Sequence, residues 1–432
     1  MFKWFLNLFS QYANPFERKV GRFFKNIKST SNPIEVQQNL QKLMQDNLVV
    51  LDLFMEKKYK NYKYLKKSVR RQMYTNAEVL NKEFDQHTAG IIDKRKYLEE
   101  IMSYLKPGIH YKYEKAANFG KLLKDPTKEP LIGDCNQIVT LYAYLYSRKF
   151  PITDLQIKIL PEHVCLHFEG KDIEATNGTF QEYKEFEYIL PITEIISTNL
   201  LDVTDSTEKT GEIDQRTMLK RAQLAYMISS MKDLVTKNLN IAYRNLGIML
   251  MNKGEFDPAI FFAEKLGDQE LINTIHRNAA IFYLNKKNFT RASHYANKSG
   301  DDKLKTVIIR NQGIIYYNKK NYKKAISYFQ QMGDVEMVKA CKMGEYSLLA
   351  KRIRNVKTVD DAKKYHSTYQ HMLELATSAG DEKAAAYVRD VLGKIGGLGV
   401  KMSFTFAKRL IIWTVRFAVR IYRVFAAAKT AG

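Results

Sequence analysis

Cys135, His163, Cys165, His167, Asp172 and Glu174 lie in one short stretch and supply thiol, imidazole and carboxylate groups, the set that nucleophilic acyl transfer needs. Asp134 precedes Cys135 and predicts a helix start there, because its carboxylate can accept from the orphan N–H groups of a first turn. The helix then covers 135–150, with Ile138, Tyr142, Leu145 and Tyr146 on one face. A cysteine at a helix start has two reasons to be reactive. The positive end of the helix dipole stabilises thiolate, and a nearby imidazolium stabilises it further. Downstream, residues 155–160, 163–168 and 172–176 alternate with period two and are separated by Pro161-Glu162 and Glu169-Gly170-Lys171, which predicts antiparallel strands. His163, Cys165 and His167 share one face of the middle strand, and Asp172, Glu174 and Thr176 share one face of the next. A two-residue turn at Glu169-Gly170 sets Cys165 opposite Glu174 and Glu174 diagonal to both histidines. Thiol, imidazole and carboxylate can therefore meet on one face. Zinc is a competing use of His163, Cys165, His167 and Cys135, but three ligands on one short strand fit a tetrahedral site poorly, so no metal is expected.

Three boxes then carry a likeness: Gly133-Asp134-Cys135, Pro161-Glu162-His163-Val164, and Ile173-Glu174-Ala175-Thr176-Asn177-Gly178. In that order they resemble the Cys, His and acid boxes of the transglutaminase-like superfamily, closest to the bacterial branch that joins this core to tetratricopeptide repeats. The resemblance is strong over residues 132–179. It implies Cys135 as nucleophile, His163 as base and Glu174 as the group orienting His163, on a papain-like core of a helix packed against an antiparallel sheet. The family usually has Asp in the acid box, so Asp172 stays a rival to Glu174. Asp134, His167, Asp172 and Asn177 are the candidate supporting residues. The implied reaction is acyl transfer with release to water or to an amine, as in a peptidase, an amidase or a transglutaminase, and no cofactor is implied.

These residues must be positioned by a longer chain. At 432 residues, with 45% hydrophobic residues, it exceeds the size at which one core keeps growing, so several domains are expected. Three cysteines, an odd number, exclude a disulfide scaffold and suit a reducing compartment. The fold class read from the pattern is α+β: a basic aromatic segment at 1–30, a helical region at 31–124, the transglutaminase-like core at 125–200, helical repeats at 212–395 and a basic amphipathic helix at 400–428. In the helical region, Asn32-Pro33 with Glu35 marks a helix start, and a further helical stretch runs over 64–104.

The repeats are visible residue by residue. Asn245, Asn278 and Asn311 are equally spaced, as are Phe256, Phe289 and Tyr322, and Ala259, Ala292 and Ala325. Gly267-Asp268, Gly300-Asp301 and Gly333-Asp334 keep the same interval, one short of the ~34 residues of a tetratricopeptide repeat. Apart from that missing residue the units resemble tetratricopeptide repeats. Gly247, Ala280 and Gly313 are the small residues that close helix packing requires. A degenerate fourth unit lies around Ala362 and Gly380-Asp381, and a helix over 215–239 caps the start. Cys341 reads as a core residue. Such arrays bind a protein or peptide partner on a concave face.

The net charge of +23 is concentrated at the ends: residues 1–30 hold six basic residues against Glu17, and residues 401–432 hold seven and no acid. Arg409, Arg416, Arg420 and Arg423 fall in a narrow arc of a helix whose remaining surface, including Trp413, is apolar. That pattern suits an anionic membrane surface, with the apolar run at 2–9 as a second, weaker anchor. No nucleic-acid-binding signature accompanies the charge, so nucleic acid is not an expected partner. No apolar run reaches the ~18 residues needed to span a bilayer, and the N-terminal run is shorter than a signal-peptide core of ~7 to 15 residues. The expectation is a cytoplasmic enzyme, peripheral at the inner face of the cell membrane. The alternative keeps the fold without the chemistry, as a scaffold that binds a partner through the repeats and a membrane through the basic ends.

Overall fold

In the computed structural model, residues 11–115, 119–125, 127–202 and 214–396 are described. The apolar run at 2–9 and the amphipathic stretch at 400–428, with Arg409, Trp413, Arg416, Arg420 and Arg423, lie outside them. The chain divides into two units, Met1–Gly267 and Asp268–Gly432. The first mixes helices with an antiparallel sheet, and the described part of the second is helical.

Asparagine caps open the first two helices among the described residues. Asn14 accepts from the Glu17 N–H at the start of α1 (Pro15–Asn26), and Asn32 accepts from the Ile34 and Glu35 N–H groups at the start of α2 (Pro33–Met55). Both helices have proline in the first turn, where its missing N–H costs no bond. Helix α2 kinks at Asn47, whose side chain accepts from the Val50 N–H, and it runs on into a π-helical turn, Glu56–Lys60. The helical stretch expected over 64–104 holds two helices, α3 (Lys67–His87) and α4 (Lys94–Tyr104). Between them Gly90 takes a positive φ, and Asp93 caps α4 by accepting from the Lys96 N–H.

Two three-residue strands, β1 (Tyr111–Tyr113) and β2 (Leu131–Gly133), pair in parallel and set Tyr113 beside Gly133. The short helix α5 (Phe119–Leu122) lies between them in sequence. Strand β2 leads into α6 (Cys135–Ser147), the helix expected over 135–150. The five-stranded sheet that follows has the order β6-β5-β4-β3-β7, built from β3 (Gln156–Leu160), β4 (His163–Phe168), β5 (Lys171–Glu174), β6 (Thr179–Gln181) and β7 (Tyr188–Pro191). All its pairings are antiparallel. The turn between β4 and β5 is Glu169-Gly170, both residues with positive φ as a type I′ hairpin requires. It pairs His167 with Asp172 and Leu166 with Ile173, the register read from the alternation. Strands β1, β2, β6 and β7 were not predicted.

Helix α6 is buried from Gln137 through Ser147 and packs against β4, α2 and α4. A helix that is apolar all round belongs in such a place. Beyond the sheet come α7 (Glu194–Leu201), α8 (Gln215–Ile228), α9 (Lys232–Asn252) and α10 (Phe256–Leu266). The helix expected over 215–239 is broken at Ser229-Ser230-Met231 because the buried Glu194 carboxylate draws these residues out of the helix. It accepts from the Ser229 hydroxyl, the Ser230 N–H and the Ser230 hydroxyl, each at 2.7 Å.

In the second unit, α11 (Gln269–Asn285) packs on α12 (Phe289–Ser299) and α13 (Asp302–Asn318) on α14 (Tyr322–Gln331). Then come α15 (Val335–Arg352), the short α16 (Val359–Lys363), α17 (His366–Ala379) and α18 (Glu382–Ile395). The repeated Gly-Asp pairs are helix punctuation. Gly300 and Gly380 end helices in the left-handed conformation, while Asp301, Asp334 and Asp381 cap the next helices with their side chains. Gly313 is required by close packing, since a Cβ there would stand 2.9 Å from the Phe329 ring. Arg277 reaches Asp301 at 2.7 Å, and at the same spacing Arg310 reaches Asp334 at 3.9 Å. Cys341 is buried with Ala325, Phe329 and Met337. Among the described residues no helix is long and apolar enough to cross a membrane.

Candidate active site

Helix α6 holds Cys135 at its first position by contacts along its whole length. Asp134 accepts from the Asn136 and Gln137 N–H groups at 3.0 and 3.3 Å, and the Gln137 side chain accepts from the Asp134 N–H at 3.0 Å, a complete capping box. In mid-helix, Asn199 donates to both Thr140 and Asp52. At the far end Gln45 donates to the Ser147 and Phe150 carbonyls and accepts from the Ile152 N–H. Cys135 is half-buried, whereas Cys165 and Cys341 are fully buried, and burial pushes each of those thiols up to about 12.

His163 opens β4 and faces that thiol. Its Nε2–H donates to Glu174 Oε2 at 2.6 Å. With Nε2 taken, Nδ1 is left for the sulfur. The Cys135 and Glu174 hydrogen bonds outweigh desolvation and raise the imidazole to about 10, so it is held as the cation. Burial would raise the Glu174 carboxyl, but bonds from His163, Thr176 and Tyr183 bring it down to about 2. Both its oxygens are filled. Oε2 also accepts from the Tyr183 hydroxyl at 2.7 Å, and Oε1 accepts from the Thr176 N–H at 3.0 Å and from the Thr176 hydroxyl.

The rival carboxylate is engaged elsewhere. Asp172 Oδ1 accepts from His167 Nδ1 at 2.7 Å, and its Oδ2 accepts from Lys158 Nζ at 2.7 Å and from the Tyr183 N–H at 2.9 Å. The two histidines on one face thus have different acids, and Glu174 engages one of its two diagonal neighbours. Asn177 is exposed and accepts from the Thr179 hydroxyl rather than joining the cluster. Gly178 closes the acid box with φ of +70°, and a Cβ there would meet the Met102 carbonyl at 2.8 Å.

Asp134 is buried, and burial together with the charge of Asp202 raises its carboxyl to about 7. Tyr113, 47% exposed, is raised by desolvation and by the negative charges of Cys135, Asp134 and Glu174. Sequence reasoning missed Gln137, Tyr113, Lys158 and Tyr183, and it placed Thr176 on the face of Glu174 without giving it a role. The spacing of Asp134 to Gln137 is itself a capping-box signal and could have found Gln137. Tyr183 lies between β6 and β7 in a stretch without periodicity and gave none.

Chemically, the arrangement pairs a half-exposed thiol with an imidazole whose second nitrogen is fixed by a carboxylate, at a helix N-terminus whose first N–H groups have no intrahelical acceptor. The chain matches no family model, no curated protein and no solved structure.

Proposed function

We propose that the chain is a cysteine acyl-transfer enzyme of the transglutaminase-like kind, acting on a protein or peptide. The observation that carries this reading is that one imidazole, His163, bonds the Glu174 carboxylate at 2.6 Å and has its titration raised by the Cys135 thiol. In the reaction the Cys135 proton already rests on His163 as a thiolate–imidazolium pair, and the thiolate attacks a carboxamide or peptide carbonyl carbon. His163 returns the proton to the departing amine, leaving a thioester. Water or a second amine then gives up a proton to His163 and attacks the thioester, and the thiol is regenerated. Glu174 holds the ring so that Nδ1 faces the sulfur throughout. The Cys135 N–H is a donor for the developing oxyanion.

In the same proposal, the helices of 212–395 form a tetratricopeptide-like array that recruits the substrate or a partner. Recurrent Gly-Asp punctuation, the Gly313–Phe329 contact and the Arg–Asp bridges at constant spacing support it. The basic stretch at 400–428 carries the enzyme to an anionic membrane surface on the cytoplasmic side.

The test is the rate of iodoacetamide alkylation against pH, with each thiol assigned by mass spectrometry, in wild type and His163→Ala. Cys135 should react faster at neutral pH than Cys165 and Cys341, and lose that advantage without His163. A Cys135 that reacts no faster than Cys165 and ignores His163 would overturn the enzyme reading in favour of a scaffold.

A further inference from the structure

The loop between β6 and β7 is exposed at every residue from Glu182 to Glu187 except Tyr183, which turns inward. Three contacts with one buried side chain fix that inward turn. Lys158 Nζ, on β3, reaches Asp172 Oδ2 at 2.7 Å, the Tyr183 carbonyl at 2.8 Å and the face of the Phe186 ring at 4.3 Å. Asp172 takes the Tyr183 N–H at 2.9 Å, so the main chain of Tyr183 is gripped on both its donor and its acceptor. Lys158, Asp172 and Glu174 are all buried, where a misplaced polar group is costly and a satisfied network is rigid. From that grip the Tyr183 hydroxyl reaches the Glu174 oxygen that also receives His163, and its ring stands edge-on to the imidazole at 6.5 Å.

We propose that Tyr183 is a positioning residue for Cys135, His163 and Glu174, and that the Lys158–Asp172 pair places its hydroxyl by holding its main chain. The inference rests on the acyl-transfer reading above. Two consequences follow from two donors sharing one carboxylate oxygen. The carboxylate cannot swing away from the ring, and part of its charge is spent on the phenol instead of on the imidazolium. The sheet thus connects His167, Asp172 and Lys158, none of which bonds the sulfur, to the orientation of the ring that does.

The experiment compares wild type, Tyr183→Phe, Lys158→Met and the double variant. Its two readouts are the Cys135 alkylation rate with iodoacetamide at neutral pH and the titration of His163 followed by NMR of its ring carbons. The titratable groups around His163 are Cys135, Glu174 and Tyr183, with Tyr113 in the field of Cys135 and Glu174, so the titration is read against the Cys135→Ser protein as well. Tyr183→Phe should slow alkylation by about 10-fold through lost orientation. It should also move the His163 titration upward by roughly half a pH unit, since the imidazolium then has Oε2 to itself. Lys158→Met should reproduce the loss of rate, and the double variant should be no more than about 2-fold slower than Tyr183→Phe, because both changes release one hydroxyl. A Tyr183→Phe protein whose rate and titration overlie wild type overturns the proposal, and so do additive losses in the double variant. If Lys158→Met does not fold, Tyr183→Phe, which removes one oxygen, carries the test alone. A wild-type Cys135 whose alkylation ignores His163 overturns the acyl-transfer reading and this inference with it, whereas a His163-dependent wild type with an unmoved Tyr183→Phe overturns this inference only.

Discussion

His163 and Glu174 meet through Nε2 and Oε2 at 2.6 Å, which leaves Nδ1 as the ring nitrogen open to another partner. Replacing Glu174 by Gln keeps the shape and removes the charge that stabilises an imidazolium. Neutral-pH alkylation of Cys135, and turnover of any substrate found, should fall by about 10²-fold or more. Alkylation kinetics on the purified variant check it, and a rate within about 2-fold of wild type would contradict the role given to Glu174.

The same pair sets a pH window for stability. His163 is raised to about 10 from 6.5, so its contribution is complete below about 6.5 and is lost as pH climbs toward 10. Glu174 is lowered to about 2 from 4.5, so its contribution is complete above about 4.5 and is lost as pH falls toward 2. The difference in Tm between wild type and the double variant His163→Ala, Glu174→Ala should be greatest at about pH 4.5 to 6.5 and shrink on both sides. Thermal melts across pH 3 to 10 decide it, and a difference that does not vary with pH would count against a charged pair.

Asp134 runs the other way. Its carboxyl is raised from 3.8 to about 7 by burial and by Asp202, so the native state keeps a proton that the unfolded chain has lost. Its contribution to stability is complete below about 3.8 and declines until pH passes about 7. Asp134→Asn retains a capping acceptor without an ionisable group and should flatten the profile over that interval. Asp134→Ala should cost about 1 kcal/mol through the lost cap. Tm measured at pH 4, 6 and 8 separates the two variants.

How much of this was legible depended on whether a residue's role is set by its neighbours in sequence. The β4–β5 register was readable because a two-residue turn and a period of two leave one pairing, and that register decides which acids share a face with His163 and His167. The cap at Asp134 was readable for the same local reason. Which of Asp172 and Glu174 bonds His163 was beyond the sequence, since Asp172 is taken by Lys158, on a strand before the hairpin, and by His167. Strands β1 and β2 are three residues each and far apart in sequence, too short for any alternation to register. The helix expected over 215–239 fails because Glu194, well upstream, outcompetes local propensity at Ser229 and Ser230.

In the repeat unit, packing and surface charge should separate cleanly. A Cβ at Gly313 would press on the Phe329 ring at 2.9 Å, so Gly313→Leu should destabilise that unit by about 1 to 3 kcal/mol despite the better helix propensity of Leu. Arg277→Ala removes an exposed partner of Asp301 and should leave urea unfolding within error of wild type. Parallel urea titrations of the two proteins make the comparison, and a larger loss for Arg277→Ala would reverse the assignment.

Helix α6 is tied by Asp134 and Gln137 at its start, by Asn199 in its middle and by Gln45 at its end, with α2, α4 and β4 around it. A segment anchored in this way has no local route to opening, and its amides should exchange with solvent only when the whole first unit comes apart. The sulfur is therefore mounted on a helix held along its whole length. The loop that carries Tyr183 extends the same rigidity to the acid, because Lys158 and Asp172 hold its main chain while its hydroxyl meets Glu174.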